Sequence, residues 1–233
     1  MNSMKTIGLI GGMSWESTIG YYRKINQRVK KALGGLHSAK IVLHSVDFDP
    51  IEKLQHSGNW VGTADILIEA AKSVESAGAD FVLICTNTMH KVAADIEQNI
   101  NIPLLHIADA TAEALVKDGV KKVGLLGTAF TMEQNFYKQR IIETYGLEVV
   151  IPNKADRQLV HNTIYNELCL GNIQDASRQE YLRIIKELTK SGAEAIILGC
   201  TEIGMLINQQ HTDVPIYDTT AIHAAKAVEW AIG

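Results

Sequence analysis

The chain has 233 residues, of which 46% are hydrophobic and 21% charged, and its formal net charge is −4. Such a length and balance fit one large soluble domain or two small lobes, and the acidic excess argues against a broad basic face for nucleic acid. No apolar run approaches the ~20 residues of a membrane span, and the opening "MNSMKTIGLIGG" lacks the long apolar core and cleavage site of a leader.

Short β-branched runs alternate with longer amphipathic ones. "TIGLI" (6–10) reads as a strand, followed by a helix capped by Ser14 or Ser17 and running to about Leu33. Residues 40–46 form a strand, 61–78 a helix stopped by Gly78, 80–84 a strand and 89–100 a helix. A strand over 103–107 and a helix over 109–119 repeat the pattern. A second series opens with a strand over 122–127. It continues with helix 131–145, strand 147–152, helices over about 155–169 and 175–191, strand 194–199, helix 203–209, strand 214–218 and helix 220–231. This βαβα order with continuous apolar strands predicts parallel sheets covered by helices on both faces.

The chain also repeats itself. "TIGLIGG" (6–12) resembles "KVGLLGT" (122–128), "SAGADFVLICTNT" resembles "KSGAEAIILGCTE", and "IPLLHIADAT" resembles "VPIYDTTAIH". The three matches occur in the same order at nearly one offset, which predicts two similar α/β lobes related by a pseudo-two-fold axis. Their strand C-termini are expected to face one cleft, where open parallel sheets bind ligands.

Within the repeat, Cys85 and Cys200 each end an apolar strand, each is followed by Thr, and each lies within a few residues of a helix start. Unpaired N–H groups and the helix dipole are expected to favour a thiolate there, lowering its pKa from about 8.5, and to bind a carboxylate. Cys169, in "IYNELCLG", reads instead as a small buried hydrophobe on a helix. With three scattered cysteines and no CxxC, neither a disulfide framework nor a structural zinc site is expected, and a cytoplasmic protein with free thiols is the simplest reading.

One thiol per lobe would flank a ligand from both sides. That suits removal of a proton from one face of a carbon and delivery of a proton to the other. Each sulfur is then expected about 3–3.5 Å from the reacting atoms and the two about 7 Å apart, against about 2 Å in a disulfide. A thiol pKa near working pH makes both protonation states accessible. Thr86, Asn87 and Thr88 offer hydroxyl, amide and N–H groups to a carboxylate, and Thr201 mirrors Thr86. Glu202 breaks the symmetry, as a group to hold an ammonium or orient a thiol. The glycines of "GLIGGMSWEST" permit close backbone approach, but their spacing is not GxGxxG and no Walker A pattern occurs, so nucleotides are discounted. His90 reads equally as a cleft neighbour or a helix-surface residue; His44, His106 and His223 receive no role.

Taken together, "GLIGGMSWEST", "CTNTMH", "PLLHIADAT", "GLLGTAFTM", "LGCTEI" and "VPIYDTTAIHA" resemble the aspartate/glutamate racemase family, along the whole chain. The resemblance implies a racemase working without pyridoxal phosphate, metal or other cofactor, commonly a homodimer, on a small amino-acid substrate. It implies Cys85 and Cys200 as the acid/base thiols and Met13, Ser14, Gln55, Thr86, Asn87, Thr88, Thr201 and Glu202 as substrate contacts. Gln55 comes from the resemblance alone; its surroundings read as a polar helix end and loop. The first lobe is expected over 1–103 plus about 214–233, and the second over 104–213.

Two departures bear on substrate. Aspartate racemases of the family tend to carry an Arg after the second strand and a Lys near the "IYxEhxxG" helix. Here "HSVDFDPIEKL" has no Arg, and Cys169 stands at the Lys position. Losing two such cations costs about 1.5–3 kcal/mol for each charged hydrogen bond, which places the chain nearer the branch of broader specificity. It also lacks the Asp-Ser loop and second "CTH" of cell-wall glutamate racemases. Two further readings stand beside this one: a related hydantoin racemase, maleate isomerase or decarboxylase, and a binding protein without turnover.

Overall fold

The structure is a computed structural model that describes residues 4–233. It divides into two units, one comprising the chain through Ile107 together with His223–Gly233, the other Ala108–Ile222. Among the described residues, no helix is long and apolar enough to cross a membrane.

In the first unit, β1 (Ile7–Gly11) lies between β2 (Ile41–Ser45) and β3 (Phe81–Ile84), all parallel. Alternate strand residues point to opposite faces. Ile7, Leu9, Phe81 and Leu83 pack on Tyr21, Ile25 and Val29 of α1 (Trp15–Leu33), and on Ala224, Ala227 and Val228 of α11 (Thr219–Ile232). Ile10, Val82 and Ile84 face the other way, onto Ile51 of α2 (Phe48–His56) and Leu67, Ala71 and Val74 of α3 (Trp60–Ser76). Each fully buried aliphatic side chain contributes about 1.5–3 kcal/mol, so the alternation fixes the register of all three strands. A 3-10 turn over Thr88–Val92 and the short α4 (Ala93–Glu97) follow β3.

The second unit repeats this order with one more full strand. After α5 (Ile107–Lys117), β4 (Lys122–Gly127) lies between β5 (Glu148–Val150) and β6 (Ala195–Gly199), and β7 (Ile216–Asp218) pairs with β6. Its helices are α6 (Ala129–Glu133), α7 (Asn135–Tyr145), α8 (Lys154–Asn166), α9 (Asp175–Lys190) and α10 (Ile203–Leu206). The proline segments of the repeat are equivalent in their bonding: the Pro103 carbonyl accepts from Val82 N–H at 3.0 Å, the Pro215 carbonyl from Ile196 N–H at 2.8 Å. Two parallel sheets flanked by helices are thus the fold that the sequence pattern predicts.

Several elements differ from the sequence reading. The 103–107 segment makes one bridge, Val82 to Leu104, before α5 begins at Ile107. The helix expected over 131–145 breaks at Gln134, whose extended backbone ends α6 and starts α7. The 89–100 helix is a 3-10 turn followed by five α-helical residues, and α10 stops at Leu206. Helix α2 escaped the reading because its polar run hides a two-residue buried face, Ile51 and Gln55, one turn apart. The units divide after Ile107 and after Ile222, later than the expected 103 and 213. The reasons are hydrogen bonds: residues 103–105 pair with Val82 in the first unit, and β7 pairs with β6 in the second.

Candidate active site

In each sheet the chain moves from the central strand to one edge and then crosses to the other side. Ligands of open parallel sheets bind at the carboxyl ends of the strands that flank this reversal. In the first unit those strands are β1 and β3, and in the second β4 and β6. The residues immediately past them are Gly12–Ser14 and Cys85, and Thr128 and Cys200.

The turn after β1 is built by its hydroxyls. Thr18 Oγ1 accepts from Gly12 N–H at 2.9 Å and donates to the Ser14 carbonyl at 2.8 Å. Ser14 caps α1 through its side chain, accepting from Ser17 N–H. Gly12 is required here, because its φ is +95° and a Cβ would lie 2.2 Å from the Val46 carbonyl oxygen. Met13 is buried in the same cluster as Met89.

Cys85 is 1% exposed, and its N–H closes the ladder by donating to the Ile10 carbonyl at 2.9 Å. Asn87 and Thr88 are buried and Thr86 half-buried in the turn that follows. Gln55, supplied by resemblance alone, is buried on α2 and donates from Nε2 to Met89 Sδ at 2.8 Å. The fold thus brings Gln55 to Met89, four residues past Cys85; Met89 is a contact that the sequence pattern does not reveal.

Cys200 is 7% exposed at the end of β6, with Thr201 and Glu202 also buried. Its thiol donates to Glu202 Oε2 at 2.9 Å, and Thr201 Oγ1 donates to the same oxygen at 2.8 Å. Tight glycines hold the strand ends: a Cβ on Gly127 would lie 2.8 Å from the Gly199 carbonyl oxygen. Cys169 is not the buried helix residue expected from its neighbours. It sits half-buried in a 3-10 turn, Leu168–Leu170, that Gly171 ends in a left-handed conformation.

The thiol acidities reverse the sequence expectation. Burial pushes the Cys85 thiol well above its ordinary pKa. Cys200 is also raised, by burial first, then by the negative charge of Glu202 and the nearby Cys169. The helices expected to oppose this are short, a five-residue 3-10 turn and a four-residue α10. Their dipoles are too small to offset the desolvation. Burial thus favours the protonated form of both thiols.

The strand ends of each repeat thus carry one buried thiol, with hydroxyl and amide groups beside Cys85 and a hydroxyl and a carboxylate beside Cys200. Comparisons with known proteins give the family. Residues 10–227 match the Asp/Glu/hydantoin racemase family model, and the chain belongs to this family of racemases acting on amino acids or hydantoins. It is similar to a structure of a putative Asp/Glu racemase from Yersinia pestis, with 57% identity over 99% of this chain and all of that one, at TM-score 0.91. An aspartate racemase homologue from Pyrococcus horikoshii OT3 is 37% identical over 99% of this chain and 100% of that one, at TM-score 0.83. The broad specificity amino-acid racemase RacX of Bacillus subtilis (strain 168) is 24% identical over 95% of this chain and 96% of its own.

Proposed function

We propose that the protein is a cofactor-independent amino-acid racemase in which Cys85 and Cys200 act on opposite faces of the substrate α-carbon. The observation that carries this reading is the repetition: family membership along the chain, with a buried cysteine past the same strand of each repeat. One cysteine, as thiolate, takes the α-proton; the other, as thiol, gives its proton to the opposite face. The product leaves the two sulfurs with their protonation states exchanged, and the reverse reaction uses the same pair. Hydroxyl and N–H groups of Thr86, Asn87, Thr88 and Thr201 hold the α-carboxylate and stabilise the carbanion. Met13, Ser14 and Gln55 line the substrate side of the first unit. Glu202 accepts the Cys200 proton or pairs with the substrate ammonium.

The substrate range is broad, with neutral side chains accepted. Support comes from Cys169 at the expected Lys position, from the absence of an Arg in 44–54, and from the similarity to RacX. A cytoplasmic homodimer completes the reading: Trp15, Ile19 and Tyr22 lie exposed along one stripe of α1. Sedimentation of a twofold mass supports the dimer, and a monomer at micromolar concentration removes it.

Chiral analysis of each common amino acid, incubated in heavy water without added cofactor, tests the reaction. Racemisation with deuterium at the α-carbon is expected. Cys85→Ser and Cys200→Ser should each lose about 10²–10⁴-fold, the scale of one acid/base group; wild-type rates in either would end the two-thiol mechanism. Hydantoin racemisation is the second reading, favoured by the family's own description, and a hydantoin in the same assay separates the two.

A further inference from the structure

Three imidazoles and a phenol are buried together in the first unit, and the proton transfer proposed above uses none of them. His90, His106, His223 and Tyr21 are all within the core. The His90 ring centroid lies 4.4 Å from that of His106 and 6.0 Å from that of His223.

Hydrogen bonds fix two of the tautomers. Ile107 N–H donates to His90 Nε2 at 3.2 Å. A backbone amide only donates, so Nε2 is bare and the proton is on Nδ1. That Nδ1–H donates to the Thr86 carbonyl at 2.8 Å. His223 is the opposite tautomer: Nε2–H donates to the Leu105 carbonyl at 2.8 Å, and Nδ1 accepts from the Tyr21 hydroxyl at 2.8 Å.

We propose that His90 is a positioning residue for Cys85, holding the peptide that follows it through the Thr86 carbonyl. The inference rests on reading Cys85 as an acid/base group. The anchor is the 105–107 segment, which is itself held through both backbone groups of Leu105. Leu105 N–H donates to the Val82 carbonyl at 2.9 Å, and the Leu105 carbonyl takes the His223 bond. His90 spans from this rail to the turn. Its Nδ1–H sets the orientation of the Thr86–Asn87 peptide and, through it, the direction of the Asn87 and Thr88 donors. That peptide begins one residue past Cys85, so fixing it constrains the backbone that carries Cys85 Sγ. A positively charged imidazole cannot accept from Ile107, so the observed pair of bonds belongs to neutral His90, and the bond to the Thr86 carbonyl is the one that acts on the turn.

Two conservative variants separate the two bonds. An Asn at 90 places a donor near the Nδ1 position and nothing near Nε2, whereas a Gln places its acceptor near Nε2 and nothing near Nδ1. If His90 positions the turn, His90→Asn keeps kcat within about threefold of wild type. His90→Gln loses about tenfold or more in kcat, with KM moved less than about threefold. Equal losses in both variants, tracking their loss of thermal stability, would show a packing role and overturn the proposal. A second readout needs no turnover: the rate at which iodoacetamide modifies Cys85, followed by mass on the 81–96 peptide. His90→Gln should change that rate by about tenfold or more and His90→Asn by less than about threefold; one common rate in all three proteins would also overturn it. A wild-type protein that racemises no amino acid defeats the functional reading alone, and the modification rates then decide the positioning role by themselves.

Discussion

The Cys200 thiol donates to Glu202 Oε2 at 2.9 Å, an oxygen that already receives the Thr201 hydroxyl at 2.8 Å. The raised pKa of Cys85, by comparison, has burial alone as its cause. Burial holds the proton on both thiols, and at Cys200 the negative charge of Glu202 adds to it, so Cys200 is the one that a single side chain can tune. Glu202→Gln removes a negative charge beside Cys200, so the Cys200 pKa should fall. It also removes the carboxylate that can take the thiol proton. Alkylation of Cys200 at pH 7 should speed up while kcat drops by about 10–10²-fold. Slower alkylation with unchanged turnover would contradict both statements.

Stability should peak between two titrations. His223 is neutral and buried, with a pKa lowered from 6.5 to about 3, by burial first and then by His90. Between those values the unfolded chain binds the proton and the folded chain does not. Stability contributed by this group is therefore complete above pH 6.5 and lost as pH falls, by up to about 1.4 kcal/mol per unit. On the alkaline side, Cys85 and Cys200 have raised pKa values, so the unfolded chain loses their protons first and stability falls as pH rises past about 9. Chemical denaturation at a series of pH values measures both arms. His223→Gln should flatten the acid arm, although it lowers stability at pH 7 by breaking the Tyr21 bond; an unchanged acid slope would assign that arm to other groups.

How much of this was legible before the coordinates follows from where each signal resides. The sheet strands were readable because they are short, apolar and buried on both faces, and the repeat doubled every signal. The equivalence of Pro103 and Pro215 even survives as matching hydrogen bonds. Helix α2 was not readable, because its buried residues are only Ile51 and Gln55, and a buried Gln carries no apolar periodicity. The thiol acidities were misjudged because sequence shows that a helix follows but not that it is one turn long, nor how dry the strand end is. His90 was ambiguous for a similar reason: its partners are backbone groups, at Thr86 and Ile107, which leave no trace in side-chain pattern.

The turn after β1 should tolerate no side chain at Gly12. An added Cβ meets the Val46 carbonyl oxygen at 2.2 Å and its nitrogen at 2.7 Å, at a φ of +95°. Gly12→Ala combines backbone strain of about 1–3 kcal/mol with overpacking of similar size. Gly146 is the control, since its φ is +68° and nothing lies within 4 Å of an added Cβ. Gly146→Ala should cost only about 1–2 kcal/mol. Thermal melts of the two variants compare them directly. Equal shifts would mean that the Val46 contact relaxes freely.

Substrate choice offers the remaining prediction. Cys169 lies close enough to Cys200 to help raise its pKa, and to affect Tyr181 as well. The 3-10 turn that carries it is held by Gly171 and is half-buried, so a longer side chain at 169 has room to extend without displacing the core. Cys169→Lys restores a cation at the position where acidic-substrate relatives are expected to have one. A charged hydrogen bond to a substrate side-chain carboxylate contributes about 1.5–3 kcal/mol. The ratio of kcat/KM for aspartate or glutamate to that for alanine should therefore rise by about 10–10²-fold. The added charge also acts on Cys200, favouring its thiolate, so the pH profile should shift toward acid for every substrate alike. A shifted profile with an unchanged substrate ratio would place residue 169 beside the thiol but away from the substrate side chain.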